Sequence, residues 1–353
     1  MGMLAALAAG AAVSVSGKAS PGAKVVQVSG TDDPKFITRG VVITPADLTL
    51  RDWPERAKKA GLTTIGLHHG ASPSVVRQYI ASDTGREFLA NCRKLGLQVE
   101  YELHAMRELL PRDLFDTDPD LFRMNDKRER TPDTNLCVHS DRALEIASQN
   151  AVALGRAMRP TTSRYFLWGD DGAPWCRCPN CAPLSDSDQA LIVENRLSSA
   201  LRKDDTKAQV AHLCYENTFS PPKEIKPDAG VFLEFAPLSL YGGKHTKDEK
   251  DLARALAILD ANLRIFPRDT AQILEYWLDV SAWSHWTKPA VELRIDKEAL
   301  ARDLDAYAAR GIRHITTFAV YIDAEYVAQY GDRPLYGYSA ALMANRESVG
   351  PSG

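Results

Sequence analysis

The sequence predicts a single-domain α/β fold, a (β/α)8 TIM barrel, and three observations carry that prediction. Apolar runs of strand type alternate with amphipathic helical stretches from about Lys35 onward, eight such runs occur, and no interdomain linker breaks the series. An open doubly wound sheet is the next alternative, but the first βα turn carries no Gly-x-Gly-x-x-Gly to bind a phosphate. The length of 353 residues and the hydrophobic share of 44 % are enough for one large core.

The first strand reads Gly40-Val-Val-Ile-Thr44 and feeds a helix over Asp52–Ala60 that closes on Gly61, where glycine takes a left-handed cap without a Cβ clash. Thr63–Leu67 forms the second strand and runs into His68-His69-Gly70. Two short helices, Ser74–Tyr79 and Gly85–Leu95, then lead to the third strand, Gln98–His104. Residues 107–140 are an excursion rich in Asp, Arg, Asn and Pro, several times longer than an ordinary βα loop and therefore functional or lid-like. A helix over Asp141–Met158 precedes the fourth strand, Arg164–Trp168. A helix over Asp188–Lys203 precedes the fifth, Gln209–Tyr215, and the sixth is Gly230–Glu234. Helix Lys250–Phe266 leads to the seventh strand, Ala271–Leu278, and helix Asp296–Ala309 to the eighth, His314–Val320.

Three segments follow: an apolar low-complexity leader over residues 1–30, the barrel over 31–335, and a closing segment with tail over 336–353. Leu4–Ser16 is uncharged and built of small and apolar residues, like the apolar part of a secretory signal, although no Lys or Arg precedes Lys18. The expectation is export to a periplasmic or extracellular location, with the true start upstream of Met1; a plain flexible leader on a cytoplasmic protein is the alternative. With 43 basic and 46 acidic residues the net charge is −3 and no basic block stands out, which argues against nucleic acid as a partner. No run of eighteen apolar residues exists to span a bilayer.

In a TIM barrel the active site lies at the C-terminal ends of the strands, so the residues there form one constellation. It is polar and aromatic: His68, His69, His104, Trp168, Tyr215, Glu216, Tyr276, Trp277, Asp279 and Tyr321, together with the acids Asp170, Asp171, Glu234 and Glu275. Carboxylates hydrogen-bond hydroxyl groups and do acid–base chemistry, while aromatic rings pack on the apolar faces of pyranoses, so the set points to a saccharide site. Asp170 and Asp171 are adjacent at the end of the fourth strand, where mutual repulsion in a dry site raises one pKa. Asp171 is therefore the expected general acid, Asp170 its orienting partner, and Glu234 or Glu275 the base or nucleophile. Solvated loop aspartates, capping histidines and a core-facing Tyr276 or Trp277 are the structural alternatives.

Six cysteines are too few for a disulfide scaffold, but Cys176, Cys178 and Cys181 are clustered. Three accounts fit: a structural zinc ion completed by Cys137, Cys214, His139 or His212; one disulfide with a spare thiol; or three reduced, packed thiols.

The run Phe166-Leu-Trp-Gly-Asp-Asp-Gly172, followed by Trp175-Cys-Arg-Cys-Pro-Asn-Cys181 and Ser185-Asp-Ser-Asp-Gln189, resembles a bacterial family catalogued as domain of unknown function 4838. The resemblance extends from Arg123-Met-Asn125 through Asn135-Leu-Cys137 to Phe232-Leu-Glu-Phe-Ala-Pro237, and implies a glycoside-hydrolase-like barrel. More distantly, Gly169-Asp170-Asp171 is similar to the Asp-Glu pair of hexosaminidase barrels, and the whole to α-glucuronidase barrels. There the second acid protonates the leaving group and the first orients an acetamide; here the second is Asp, one methylene shorter.

The expected activity is hydrolysis of a glycoside or oligosaccharide with no organic cofactor. Two rivals remain at this stage: a metal-dependent sugar isomerase or epimerase using His69, Asp171, Glu216 and Glu234 as ligands, and a barrel that binds carbohydrate without turning it over.

Overall fold

The computed structural model describes residues 34–70, 72–241 and 248–344. The leader of residues 1–30 and the tail beyond residue 344 lie outside them. Eight strands, Thr38–Ile43 (β1), Thr64–Leu67 (β2), Gln98–His104 (β3), Arg164–Trp168 (β4), Gln209–Cys214 (β5), Val231–Phe235 (β6), Gln272–Glu275 (β7) and His314–Phe318 (β8), run parallel in sequential order and close into a barrel. β8 returns to β1 with Thr38 opposite His314 and Val42 opposite Phe318.

Helices Trp53–Lys59 (α1), Pro73–Ala81 (α2), Asp83–Leu95 (α3), Met106–Leu109 (α4), Asp141–Ala157 (α5), Asp186–Leu201 (α6), Glu249–Asn262 (α7), Lys297–Ala308 (α8), Ala324–Tyr330 (α9) and Arg333–Met343 (α10) accompany the strands. Their ends follow local chemistry. Ser82 caps α3 by accepting from the Gly85 amide at 3.1 Å, and Gly96 ends that helix at φ +69°. Ser185 and Asp188 form a capping box on α6; the other Asp188 oxygen accepts the amides of Lys223, Glu224 and Ile225 at 2.8–3.0 Å, tying that helix to the approach to β6. In the closing segment, the Tyr338 hydroxyl donates to the Gly40 carbonyl at 2.9 Å, which fastens α10 to β1.

Strand parity sorts the side chains. Val42, Phe166, Trp168, Ala211, Phe232, Ala236, Leu274 and Phe318 point inward and form a cluster of their own, while a larger apolar layer lies between sheet and helices. On β7 this makes Gln272 and Leu274 inward and Glu275 outward. Glu275 is fully buried in the helical layer, where the hydroxyls of Tyr241, at 2.7 Å, and Tyr307 donate to it. It is a structural acid, not the base or nucleophile expected from its place at a strand end. Trp277 also lies outside the barrel, against Tyr338 at 6.0 Å, and is not a sugar platform. β7 stops at Glu275 rather than Leu278 because the chain turns there, with the Asp279 amide donating to the Tyr276 carbonyl.

The lower interior of the barrel is polar. Glu100, Glu102, Arg164, Glu234 and Gln272 are all buried there. The Arg164 guanidinium lies over the Phe232 ring, 3.8 Å from its centre and 4.0 Å from a Glu100 oxygen. Glu234 accepts from Trp168 Nε1 at 2.8 Å and from Gln272 Nε2 at 3.3 Å. One guanidinium cannot balance three carboxylates away from water. Burial pushes Glu100 and Glu102 up, the latter also through Glu234, and holds Glu234 at about 8. Glu234 is fully buried with its carboxyl group on the Trp168 indole, does not line the strand-end cavity, and is not grouped with His69, Asp171 and Glu216, unlike the base or ligand expected across a cleft.

Gly66 makes room for this arrangement: a Cβ there would stand 2.8 Å from Glu102 Oε1 and 3.1 Å from Val42 Cγ2. We expect Gly66→Ala to destabilise the fold by about 1–3 kcal/mol through overpacking, read as a lower denaturant midpoint. A second expectation concerns pH. Because the folded-state pKa of Glu234 is raised from 4.5 to about 8, the folded form keeps a proton that the unfolded chain releases, and stability falls as pH rises through that window. In Glu234→Gln the fall in unfolding free energy between pH 5 and pH 8 should be smaller than in the parent; an unchanged slope would show that Glu234 does not hold that proton.

Candidate active site

Inward residues one layer above the polar interior form the floor and walls of a cavity of about 330 Å³ at the C-terminal ends of the strands. The Trp168 indole, 2 % exposed, is the floor. Its N–H is committed downward to Glu234, and its ring lies 5.0 Å from His104 and 5.9 Å from His68. Tyr276 packs on Phe318 at 5.0 Å, completing an aromatic surface.

The two histidines are each oriented by a backbone carbonyl of the neighbouring strand or its exit. His68 Nδ1 donates to the Glu102 carbonyl and His104 Nδ1 to the Gly169 carbonyl, both at 2.7 Å. A carbonyl can only accept, so each ring carries a proton on Nδ1. Burial, with His104 and His69 nearby, lowers the His68 pKa to about 3, so that ring is neutral and its Nε2 is an acceptor.

Asp170 and Asp171 divide their work. Asp170 turns away from the cavity: its Oδ2 accepts from Arg112 Nη2 at 2.8 Å and from the Asn135 amide at 2.7 Å, and its own amide donates to Asn135 Oδ1 at 2.9 Å. The long excursion therefore grips the end of β4. Asp171 lines the cavity with a side chain 64 % exposed, its Oδ1 3.8 Å from His104 Nε2. Burial and the facing Asp171 carboxylate both push the Tyr215 phenol up. Gly172, at φ +56°, turns the chain after it, and the Asn217 amide group holds the Gly172 carbonyl at 3.0 Å.

A second carboxylate enters from the far side of the mouth. Asp279, after β7, is 8 % exposed; its Oδ1 accepts from the amide and hydroxyl of Ser281 at 2.9 and 2.6 Å, yet burial still raises its pKa. Tyr276 lies in the field of both acids, and its hydroxyl is pushed well above the ordinary range by burial, Tyr215, Asp279 and Asp171. Among the described residues lining the cavity, Asp171 and Asp279 are the carboxylates.

Tyr321 also lines the cavity, at φ +72°, with its amide donating to the buried Asp47 at 2.8 Å. His69 and Glu216 are half-buried nearby but do not line it. Lining residues not anticipated from sequence include Thr44, Ser281, Trp286 and Phe318. Trp286 is 72 % exposed on the β7–α8 loop, and the Trp283-Ser-His-Trp286 spacing in a long polar connection was its available signal. A wider hollow of about 670 Å³ lies between α5 and α6 on the outer surface and shares no lining residue with the strand-end cavity.

Beside the Asp170 clamp lies a second cluster. Cys137, Cys176, Cys178 and Cys181 are buried with all four sulfurs within 4.8 Å of one another. It is the group with metal-binding geometry among the described residues, so the isomerase ligand set is not assembled. Cys137 completes the three clustered cysteines. Cys214 instead meets Asn262 and the Phe219 carbonyl, and His212 pairs with Glu194 at 2.6 Å outside the barrel; His139 only reaches Cys181 Sγ, at 3.2 Å.

Comparison with known proteins bears on the fold. The chain superposes on a β-N-acetylhexosaminidase from Bacteroides fragilis (TM-score 0.54, 12 % identity, 90 % of this chain and 68 % of that one). It also matches a β-galactosidase from Rahnella sp. R3 (0.54, 12 %, 88 % and 56 %) and an endo-glycoceramidase II from Rhodococcus sp. (0.51, 11 %, 80 % and 73 %). At these identities the likeness is one of fold, a glycoside-hydrolase-like barrel, and the chain spans only part of each enzyme. Among curated proteins no sequence matches. A family model matches residues 16–320, most of the chain, and on that match the protein belongs to the family described as domain of unknown function (DUF4838).

Proposed function

We propose that the protein is a glycoside hydrolase acting on a saccharide held over Trp168, Tyr276 and Phe318. The observation that carries this reading is the pair Asp171 and Asp279, which line one aromatic-floored cavity from strands three apart in the closed ring, β4 and β7. Two carboxylates flanking a bound sugar are what cleavage of a glycosidic bond requires: one protonates the departing oxygen, the other attacks or activates water.

Asp279 is the proton donor in this scheme, since burial raises its pKa and an acid must hold its proton until bond cleavage. Asp171, open to solvent and backed by His104, is the base or nucleophile. This exchanges the role that adjacency alone suggests for Asp171, while Asp170 keeps an orienting role through Arg112 and Asn135. His68 Nε2 accepts a substrate hydroxyl, and Trp286 offers a ring at the rim. No organic cofactor enters this scheme, and the four buried cysteines suit a structural zinc ion rather than a reactive one. The apolar leader fits export, where polymeric carbohydrate is met.

Aryl glycosides with good and poor leaving groups test the assignment. Asp279→Asn should lower turnover of the poor leaving group by about 10²–10⁴ and spare the good one. Asp171→Asn should depress both alike. If the leaving-group dependence appears in Asp171→Asn instead, the roles are reversed; if neither variant loses activity, the pair is wrong.

A further inference from the structure

We propose that Cys137, Cys176, Cys178 and Cys181 bind one zinc ion, and that this ion holds the Asp170–Asp171 turn in place by locking together the two chain segments that grip it.

The geometry fits a tetrathiolate centre. Cys137 Sγ lies 3.9 Å from both Cys178 Sγ and Cys181 Sγ. In a tetrahedron with Zn–S about 2.3 Å the sulfur–sulfur edge is about 3.8 Å, so two of the edges already have the length of such a site and all four sulfurs lie within 4.8 Å of one another. Four soft sulfur donors select zinc over the hard cations. The surroundings suit thiolates: Cys176 Sγ accepts from the amides of Met124 at 3.3 Å and Cys178 at 3.4 Å and faces Arg130 Nη1 at 3.7 Å, and the His139 ring lies against Cys181. Such outer donors offset the charge that four thiolates place on one cation.

The cluster's position gives it a consequence. Cys137 is two residues from Asn135, and Cys176 is two residues from Pro174. Asn135 is fully buried, at φ +43°, and bonds to both sides of the turn. Its amide and Oδ1 pair with Asp170, and its Nδ2 donates to the carbonyls of Ala173 and Pro174 at 3.2 and 3.1 Å. The Trp175 ring fills the space at Gly169, where a Cβ would approach it to 3.0 Å. The excursion and the β4–α6 loop thus meet at two adjoining places, the Asn135 clasp and the cysteine cluster. Without an ion the cluster leaves four thiols with no covalent bond between the segments, and the hydrogen bonds of Asn135, Arg112 and Met124 must hold a left-handed asparagine against the nearly buried Asp170.

The test uses the full chain purified without added zinc, with readouts that need no substrate, so that it stands or falls apart from the hydrolase reading; only the effect on turnover rests on that reading. Mass spectrometry should find about one equivalent of zinc, and cobalt substitution should give the thiolate charge-transfer absorption of a tetrahedral site. Removing the metal with a chelator should speed hydrogen exchange in the peptides holding Asn135 and Asp170 by about tenfold or more, leave β1 and β8 unchanged, and be reversed by zinc. Asn135→Ala should keep the zinc and show the same fast exchange at Asp170. Cys137→Ser should lose the ion; if it fails to fold, the chelated parent supplies the same readout. Less than about a third of an equivalent of metal, with a disulfide or four free thiols in its place, overturns the site. Full zinc with exchange at Asp170 indifferent to its removal overturns the link to the turn.

Discussion

The constraint on which the site depends is the need of a nearly buried carboxylate for partners. Asp170 sits where the chain leaves the barrel, and a charge there is tolerable only with a cation and donors placed around it. Arg112 and Asn135 supply them, and both belong to the excursion between β3 and α5. Those thirty-odd residues are long because they must travel from the top of β3 to the next strand's exit and present two groups at one oxygen. With Asp170 satisfied, the next residue has its direction chosen for it, which is how Asp171 comes to face His104 and Tyr215 at the mouth.

Much of this was legible in the sequence. β3 and β4 fall where the apolar runs place them, at Gln98–His104 and Arg164–Trp168, because short β-rich segments bounded by Gly, Ser and Pro have few other options. Sequential closure of eight strands followed from their count. The acids were less legible, for two separate reasons. Glu275 failed on parity, since with Leu274 and Tyr276 inward the intervening residue must point to the helices. Glu234 failed on depth, since it points inward but one layer below the floor. The sequence carries parity plainly, but depth depends on the stagger between strands. The partners of Asp170 were illegible, because a contact between residues 112, 135 and 170 has no periodic signature, and Cys137 could be named only as one of four possible completions for the same reason.

The barrel interior shows a division of polarity along its axis. The lower layers hold Glu100, Glu102, Arg164 and Glu234, the next is apolar and aromatic, and the top opens on the two cavity acids. Trp168 joins the levels, its ring in the cavity and its N–H on Glu234. The indole therefore cannot rotate to suit a ligand without stranding a buried carboxyl group, so the floor is fixed before anything binds, which lowers the ordering cost of binding.

The His68 ring has a further meaning for how the cleft responds to its medium. With Nδ1 fastened to a carbonyl and its pKa near 3, it neither takes up nor gives off a proton at any acidity in which the barrel would ordinarily work. That one ring therefore keeps the same charge and the same acceptor as the medium changes. The lone pair on Nε2 stays on offer throughout, a constant fixture in the wall of the cleft.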